Sequence, residues 1–135
     1  MTAPAEVQRS GNWLKELLVA VSLYMLELKV ADFARSLNWY RSCFAWPIHL
    51  LDEPNQFAVL AAGAGKVALQ SGTPVPGTAK LVFHVDNLSA EVQRLESLGV
   101  RPENPMSWNP EGYRFARFRD LDGYQLELFD WAKAP

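Results

Sequence analysis

Apolar residues recur along this chain at two different periods. Phe33, Leu37, Tyr40 and Phe44 follow one another at helical spacing behind Asp32, whose side chain suits a helix N-cap, and Pro47 ends the pattern. Leu88, Val92, Leu95 and Leu98 repeat it behind Asp86-Asn87, up to Gly99. Short strand-like runs flank each helix. Residues 23–30 precede the first, and residues 48–52, 56–61 and 66–70 follow it, separated by Glu53-Pro54-Asn55 and the Gly63-Ala64-Gly65 turn. Residues 80–85 precede the second. An irregular strand from residue 100 towards Trp108, then residues 113–119 and 124–129, come after it. The segment 71–78, with two prolines and two glycines, reads as a linker between the halves.

Both halves therefore read β-α-β-β-β, with Val30 and Val85 as corresponding anchors, and this self-similarity governs the fold expectation. The last strand is the most informative. Asp120-Leu121-Asp122-Gly123 predicts a tight turn. The residues after it alternate, so Leu126 and Leu128 point to one face, and Gln125, Glu127 and Phe129 to the other. A lone carboxylate, Glu127, on an otherwise neutral strand is the sharpest chemical feature of the chain. Ahead of the repeat, Leu14, Leu17, Leu18 and Val21 predict a short amphipathic helix in a leader spanning residues 1–22.

Composition narrows the function classes. With 135 residues, 49% hydrophobic and 21% charged, one globular domain is expected. A net charge of −2 and a pI of about 5.7 argue against a nucleic-acid footprint. One cysteine, Cys43, excludes an internal disulfide and any cysteine-cluster metal site, and fits a reducing, cytoplasmic location. The apolar run 17–26 falls short of the roughly 20 residues that span a bilayer, so no membrane association is expected.

The local sequences carry a family resemblance. The stretch Val30-Ala31-Asp32-Phe33-Ala34-Arg35-Ser36-Leu37-Asn38-Trp39-Tyr40 resembles the V-x-D-x-x-x-S-x-x-F/W-Y helix start of the vicinal oxygen chelate superfamily. That superfamily takes in glyoxalase I, bleomycin-resistance proteins and extradiol dioxygenases. Asp120-Leu121-Asp122-Gly123-Tyr124-Gln125-Leu126-Glu127-Leu128 resembles its D-P-D-G-x-x-[IL]-E-[LF] ending, with Leu121 in place of proline. The resemblance implies an α+β fold over residues 23–130. Two βαβββ modules, 23–71 and 79–130, would form a cup-shaped curved mixed sheet with helices on its outer face. It also implies a small-molecule ligand and a homodimer, and leaves open whether the cup forms within one chain or across two.

In metal-using members four positions on the cup's inner face hold the ion, and the resemblance maps them to Met25, Ala68, Lys80 and Glu127. Only Glu127 suits a divalent metal. Alanine has no donor, methionine is soft, and a charged lysine repels a cation. No metal or other cofactor is therefore expected, and a Lys80–Glu127 ion pair is expected in its place. An alternative set of Glu27, His84 and Glu127 would need ligands displaced by about 7 or 13 Å along their strands.

Glu127 and His84 are the candidate catalytic groups, the latter because imidazole transfers protons near neutral pH. Lys80, Glu27, Met25, Phe129 and Trp108 are the candidate ligand-binding residues, with Trp108 as a lid. His49 is taken as incidental. The faces of Arg114, Arg117 and Arg119 cannot be assigned from their spacing, although an inward arginine would suit an anionic substrate. Three functions remain open. The first is a metal-independent small-molecule-binding protein like the bleomycin-resistance proteins. The second is a glyoxalase-like lyase or isomerase, or a dioxygenase, using Glu127 as base or metal ligand. The third is a pure assembly module.

Overall fold

A computed structural model describes residues 20–132. The helix expected within the leader lies outside the described residues. The first half contains β1 (Leu26–Val30), α1 (Phe33–Phe44), β2 (Ile48–Asp52), β3 (Phe57–Ala62) and β4 (Gly65–Ser71). The second contains β5 (Lys80–His84), α2 (Leu88–Ser97), β6 (Ser107–Trp108), β7 (Arg114–Arg119) and β8 (Gln125–Asp130). Each half builds a four-stranded mixed sheet, ordered β1-β4-β3-β2 and β5-β8-β7-β6. The pairings β1–β4 and β5–β8 are parallel, and the others are antiparallel. The fold is α+β, with the expected order of elements. Among the described residues no strand of one sheet pairs with a strand of the other.

The caps follow the sequence. Asp32 accepts from the Arg35 N–H at 3.1 Å, and Asn87 from the Ala90 N–H at 3.1 Å. Helix α1 stops where Ala45 turns left-handed, and the Ala45 N–H donates to the Arg41 carbonyl at 2.9 Å. Strand β1 begins at Leu26 rather than residue 23. The strand expected at 100–103 does not form. Pro102 and Pro105 interrupt it, and a single backbone bond, Glu103 N–H to the Arg117 carbonyl at 2.8 Å, holds that stretch to β7.

Strand alternation separates two faces. Leu28, Val30, Val67 and Leu69 of the first sheet, and Leu81, Phe118, Leu126 and Leu128 of the second, turn to the helix side. They join Phe33, Tyr40 and Cys43 of α1 and Leu88, Val92 and Leu95 of α2 in one buried cluster. The two halves therefore share a single core. Their other faces, which carry Glu27 and Ala68 in sheet one and Glu127 in sheet two, are left open by the helices.

The turn before β8 locks the halves together. Asp120, only 8% exposed, accepts the Tyr40 hydroxyl on Oδ2, and the Asp122 and Tyr124 N–H groups on Oδ1 at 3.0 and 2.9 Å. Asp122 accepts from the Ala31 N–H at 3.2 Å and the Ser36 hydroxyl at 3.3 Å. The Tyr124 hydroxyl donates to the Lys29 carbonyl at 2.7 Å. Gly123 closes the turn at a φ of 91°. No helix among the described residues is long and apolar enough to cross a membrane.

Candidate functional site

The open face of sheet two is built around Glu127. Its strand neighbours are Val82 on β5 and Arg117 on β7. The alternation that buries Leu126 and Leu128 against the helices turns Glu127 the other way, yet it is only 3% exposed. Two cations cover it. The Lys80 ammonium donates to Oε1 at 2.9 Å, and Arg117 Nε donates to the same oxygen at 3.0 Å. No described residue donates to Oε2. The side chains of Lys80 and Arg117 remain 40% and 37% exposed, so both cations also face solvent. The Arg117 guanidinium lies 4.7 Å from the centroid of the Phe115 ring.

An aromatic group continues this face towards the end of β8. Phe115 pairs across the strands with Phe129. Phe129 in turn packs on Tyr113 at 4.8 Å and Trp131 at 5.1 Å between ring centroids. His84, the partner of Phe129 on β5, packs edge-on to it at 5.4 Å. One strand pair separates His84 from Glu127, and no hydrogen bond joins them among the described residues.

Four of the expected site residues, Lys80, His84, Glu127 and Phe129, thus share one surface. The remaining three do not join them within a chain. Glu27 lies on the open face of sheet one, bonded to the Lys29 ammonium at 2.8 Å, and Met25 immediately precedes the same strand. Trp108 is a correction. It pairs with Arg114, which grips Asp130 on the helix side, so strand alternation turns the Trp108 ring away from Glu127. A two-residue strand has no period from which its face can be read.

A divalent ion does not fit this donor set. The parallel registers set Ala68 beside Glu27 and Glu127 beside Val82, so sheet one offers a methyl group at the position equivalent to Glu127. Among the described residues no three His, Cys, Asp or Glu side chains form a group able to hold a metal. The Lys80 ammonium and the Arg117 guanidinium both hold Oε1 of Glu127, and their charges repel a cation approaching the carboxylate.

Two acids have structural roles beyond the sequence reading, which took Asp120 as a turn residue only and did not single out Asp130. Burial raises the Asp120 carboxyl above its ordinary value, against the hydrogen bonds from Tyr40 and the backbone that lower it. The same burial, with Asp120 alongside, pushes the Tyr40 hydroxyl up. Asp130 is held below its ordinary value by Arg114, whose Nε and Nη2 donate at 2.9 and 2.8 Å. Asp130 also accepts the first N–H of α2, from Leu88 at 2.8 Å.

A cleft of about 820 Å³ runs alongside β5, where Lys80 and His84 also line it. Phe44, Trp46 and Phe83 line it, with Phe44 and Trp46 stacked at 4.7 Å. Glu127 takes no part in its lining. Its carboxylate, Glu91, is already paired with Arg94 at 2.8 Å, whereas on the open face Lys80 and Arg117 converge on Glu127. The convergent polar groups favour the open face as the site.

The family model of the Glyoxalase/Bleomycin resistance protein/Dioxygenase superfamily matches residues 22–128. The uncharacterized protein YraH of Bacillus subtilis (strain 168) is 26% identical over 125 residues, covering 81% of this chain and 98% of its own. Among solved structures, TioX from Micromonospora sp. ML1 is 24% identical with a TM-score of 0.68, covering 83% of this chain and all of its own. A lactoylglutathione lyase from Agrobacterium tumefaciens is 18% identical with a TM-score of 0.69, covering 86% and 100%. A superfamily member from Sphaerobacter thermophilus DSM 20745 is 21% identical with a TM-score of 0.73, covering 84% and 99%. At these identities the structural likeness speaks for the fold.

Proposed function

The chain belongs to the Glyoxalase/Bleomycin resistance protein/Dioxygenase superfamily, and on that premise we propose that it is a small-molecule-binding protein working without a catalytic metal. Its ligand rests on the open face of sheet two, over Lys80, Glu127 and Phe129. One observation carries the reading: Glu127 is held by two cations at 2.9 and 3.0 Å, where metal chemistry would need further anionic or imidazole donors.

A second copy of the chain completes the site. Leu50 on sheet one is 48% exposed and Val82 on sheet two 45%, both on open faces. Burying such positions against a partner removes apolar surface from water. It would also bring Met25 and Glu27 of one protomer towards Lys80 and Glu127 of the other.

The lyase or isomerase reading draws on one observation, the Oε2 oxygen of Glu127, which no described residue occupies. His84 lends it no support, since it packs on Phe129 rather than bonding Glu127.

Metal analysis with thermal unfolding tests the proposal. Purified protein is expected to carry substoichiometric Zn, Ni, Mn and Fe, to keep its Tm after chelation, and to gain Tm with a small-molecule ligand by mass action. A stoichiometric metal, lost together with activity in Glu127→Gln, would transfer the chain to the enzymes.

A further inference from the structure

We infer that the ligand is a small planar anion of the aromatic carboxylic acid class, its carboxylate held by Arg117 and Lys80 and a hydroxyl or N–H group donating to Glu127 Oε2. The inference deepens the reading above and rests on it.

Two cations on this face keep unused donors. Three arginines lie on β7, and two are engaged through more than one nitrogen. Arg114 bonds Asp130 through Nε and Nη2, and Ser89 through Nη1. Arg119 bonds Glu103 through Nε and the Gly123 carbonyl through Nη1. Arg117 spends Nε alone, on Glu127, and the outer edge of its fork meets no acceptor among the described residues. The Lys80 ammonium, with three donors, likewise has one described acceptor, the same Glu127 oxygen. A guanidinium edge beside an ammonium is the donor arrangement a carboxylate accepts, and charge assistance strengthens both bonds.

Charge points the same way. This face carries Lys80, Arg117 and Arg119 against Glu127 and Glu103, leaving one positive charge in excess. The whole chain is negative, at −2. The attraction for an anion is therefore local to the face rather than a property of the protein. A cationic ligand donating to Glu127 Oε2 would lie beside Lys80 and Arg117, whose like charges repel it.

Shape and hydrogen bonding refine the class. The guanidinium already lies on the Phe115 ring, and Phe115 adjoins Phe129 and its aromatic neighbours. A carboxylate coplanar with the guanidinium, attached to a flat ring, extends that stack. Glu127 Oε2 has no donor among the described residues, and since no buried side-chain oxygen among them lacks a partner, this oxygen is open to solvent. A ligand that carries its own donor takes the place of water at this oxygen, whereas a bare acid does not.

Four probes test the inference on the isotope-labelled full chain, followed by NMR shift titration: meta-hydroxybenzoate, benzoate, benzamide and benzylamine. The hydroxy acid is expected to bind most tightly, about tenfold tighter than the neutral amide, and to weaken with added salt. Benzylamine is expected to bind least. Arg117→Lys keeps the charge but loses the fork, and about tenfold in affinity should go with it. Lys80→Met, at a half-exposed edge position, is a second variant expected to weaken the acids and spare the amide. If benzamide or benzylamine equals the acids while shifting β5, β7 and β8 signals, the face is a ligand site and the anionic class is wrong. If no probe moves those signals, the face is not the site, and the inference and the reading beneath it both fall.

Discussion

The Tyr40 hydroxyl, in α1 of the first half, donates to Oδ2 of Asp120, eighty residues further along the chain and in the turn before β8. Both groups are buried, with Tyr40 1% and Asp120 8% exposed. The bond sits among others that cross the same boundary, from Ala31 and Ser36 to Asp122 and from Tyr124 to Lys29. Two stretches that look independent in the sequence are thus the two sides of one joint.

Tyr40→Phe removes the hydroxyl and leaves a buried carboxylate oxygen unpaired. The expected loss is about 2 kcal/mol of stability at neutral pH. Its pH dependence has a definite sign. Asp120 has a raised value in the folded state, so its contribution is fully present below the ordinary carboxylate value of 3.8 and is lost as pH rises through the folded one. Deleting the bond that lowers the value raises it further. Urea unfolding of both proteins should show a difference that is largest near pH 7 and shrinks towards acid. A constant or growing difference would contradict this account.

Asp130→Asn reports on the opposite case. Arg114 and the first N–H of α2 hold the Asp130 carboxylate below its ordinary value. Its stabilisation is present above that ordinary value and is lost as pH falls through the lowered one. The variant should be about 2 kcal/mol less stable at neutral pH, with the gap closing below about pH 4. Chemical denaturation across that range measures it.

Gly123→Ala should cost about 1 kcal/mol or more for backbone reasons alone, because an alanine there must hold a φ of 91°. Packing is not the obstacle, since a Cβ would meet Pro76 at 3.6 Å, an ordinary contact. Gly123→Asn, whose side chain tolerates positive φ better, should cost less. Equal losses in the two variants would point instead to crowding.

The sequence carried the fold further than the site. Alternation in residues 124–129 was enough to assign Glu127 to the face opposite Leu126 and Leu128. The Lys80–Glu127 contact, across 47 residues, was reached only through the family's ligand spacing. Arg117 was missed because its face depends on register. Arg117 and Arg119 face one way and Arg114 the other, and only the pairing of β7 with β8 settles which. Trp108 failed because two residues of strand have no period. The turn at Asp120 was legible from its local backbone bonds, but its bond to Tyr40 and the clasp of Asp130 by Arg114 were not, because those partners lie far off in sequence.

The joint between Tyr40, Ser36, Asp120 and Asp122 also explains why kinship is easier to read here than cargo. The residues that carry the family resemblance, Ser36, Tyr40, Asp120 and Asp122 among them, are those that staple one half of the molecule to the other. That staple lies on the helix side and at the turn, away from Lys80, Arg117 and Glu127, so the signature vouches for the assembly and is silent about what the assembly carries.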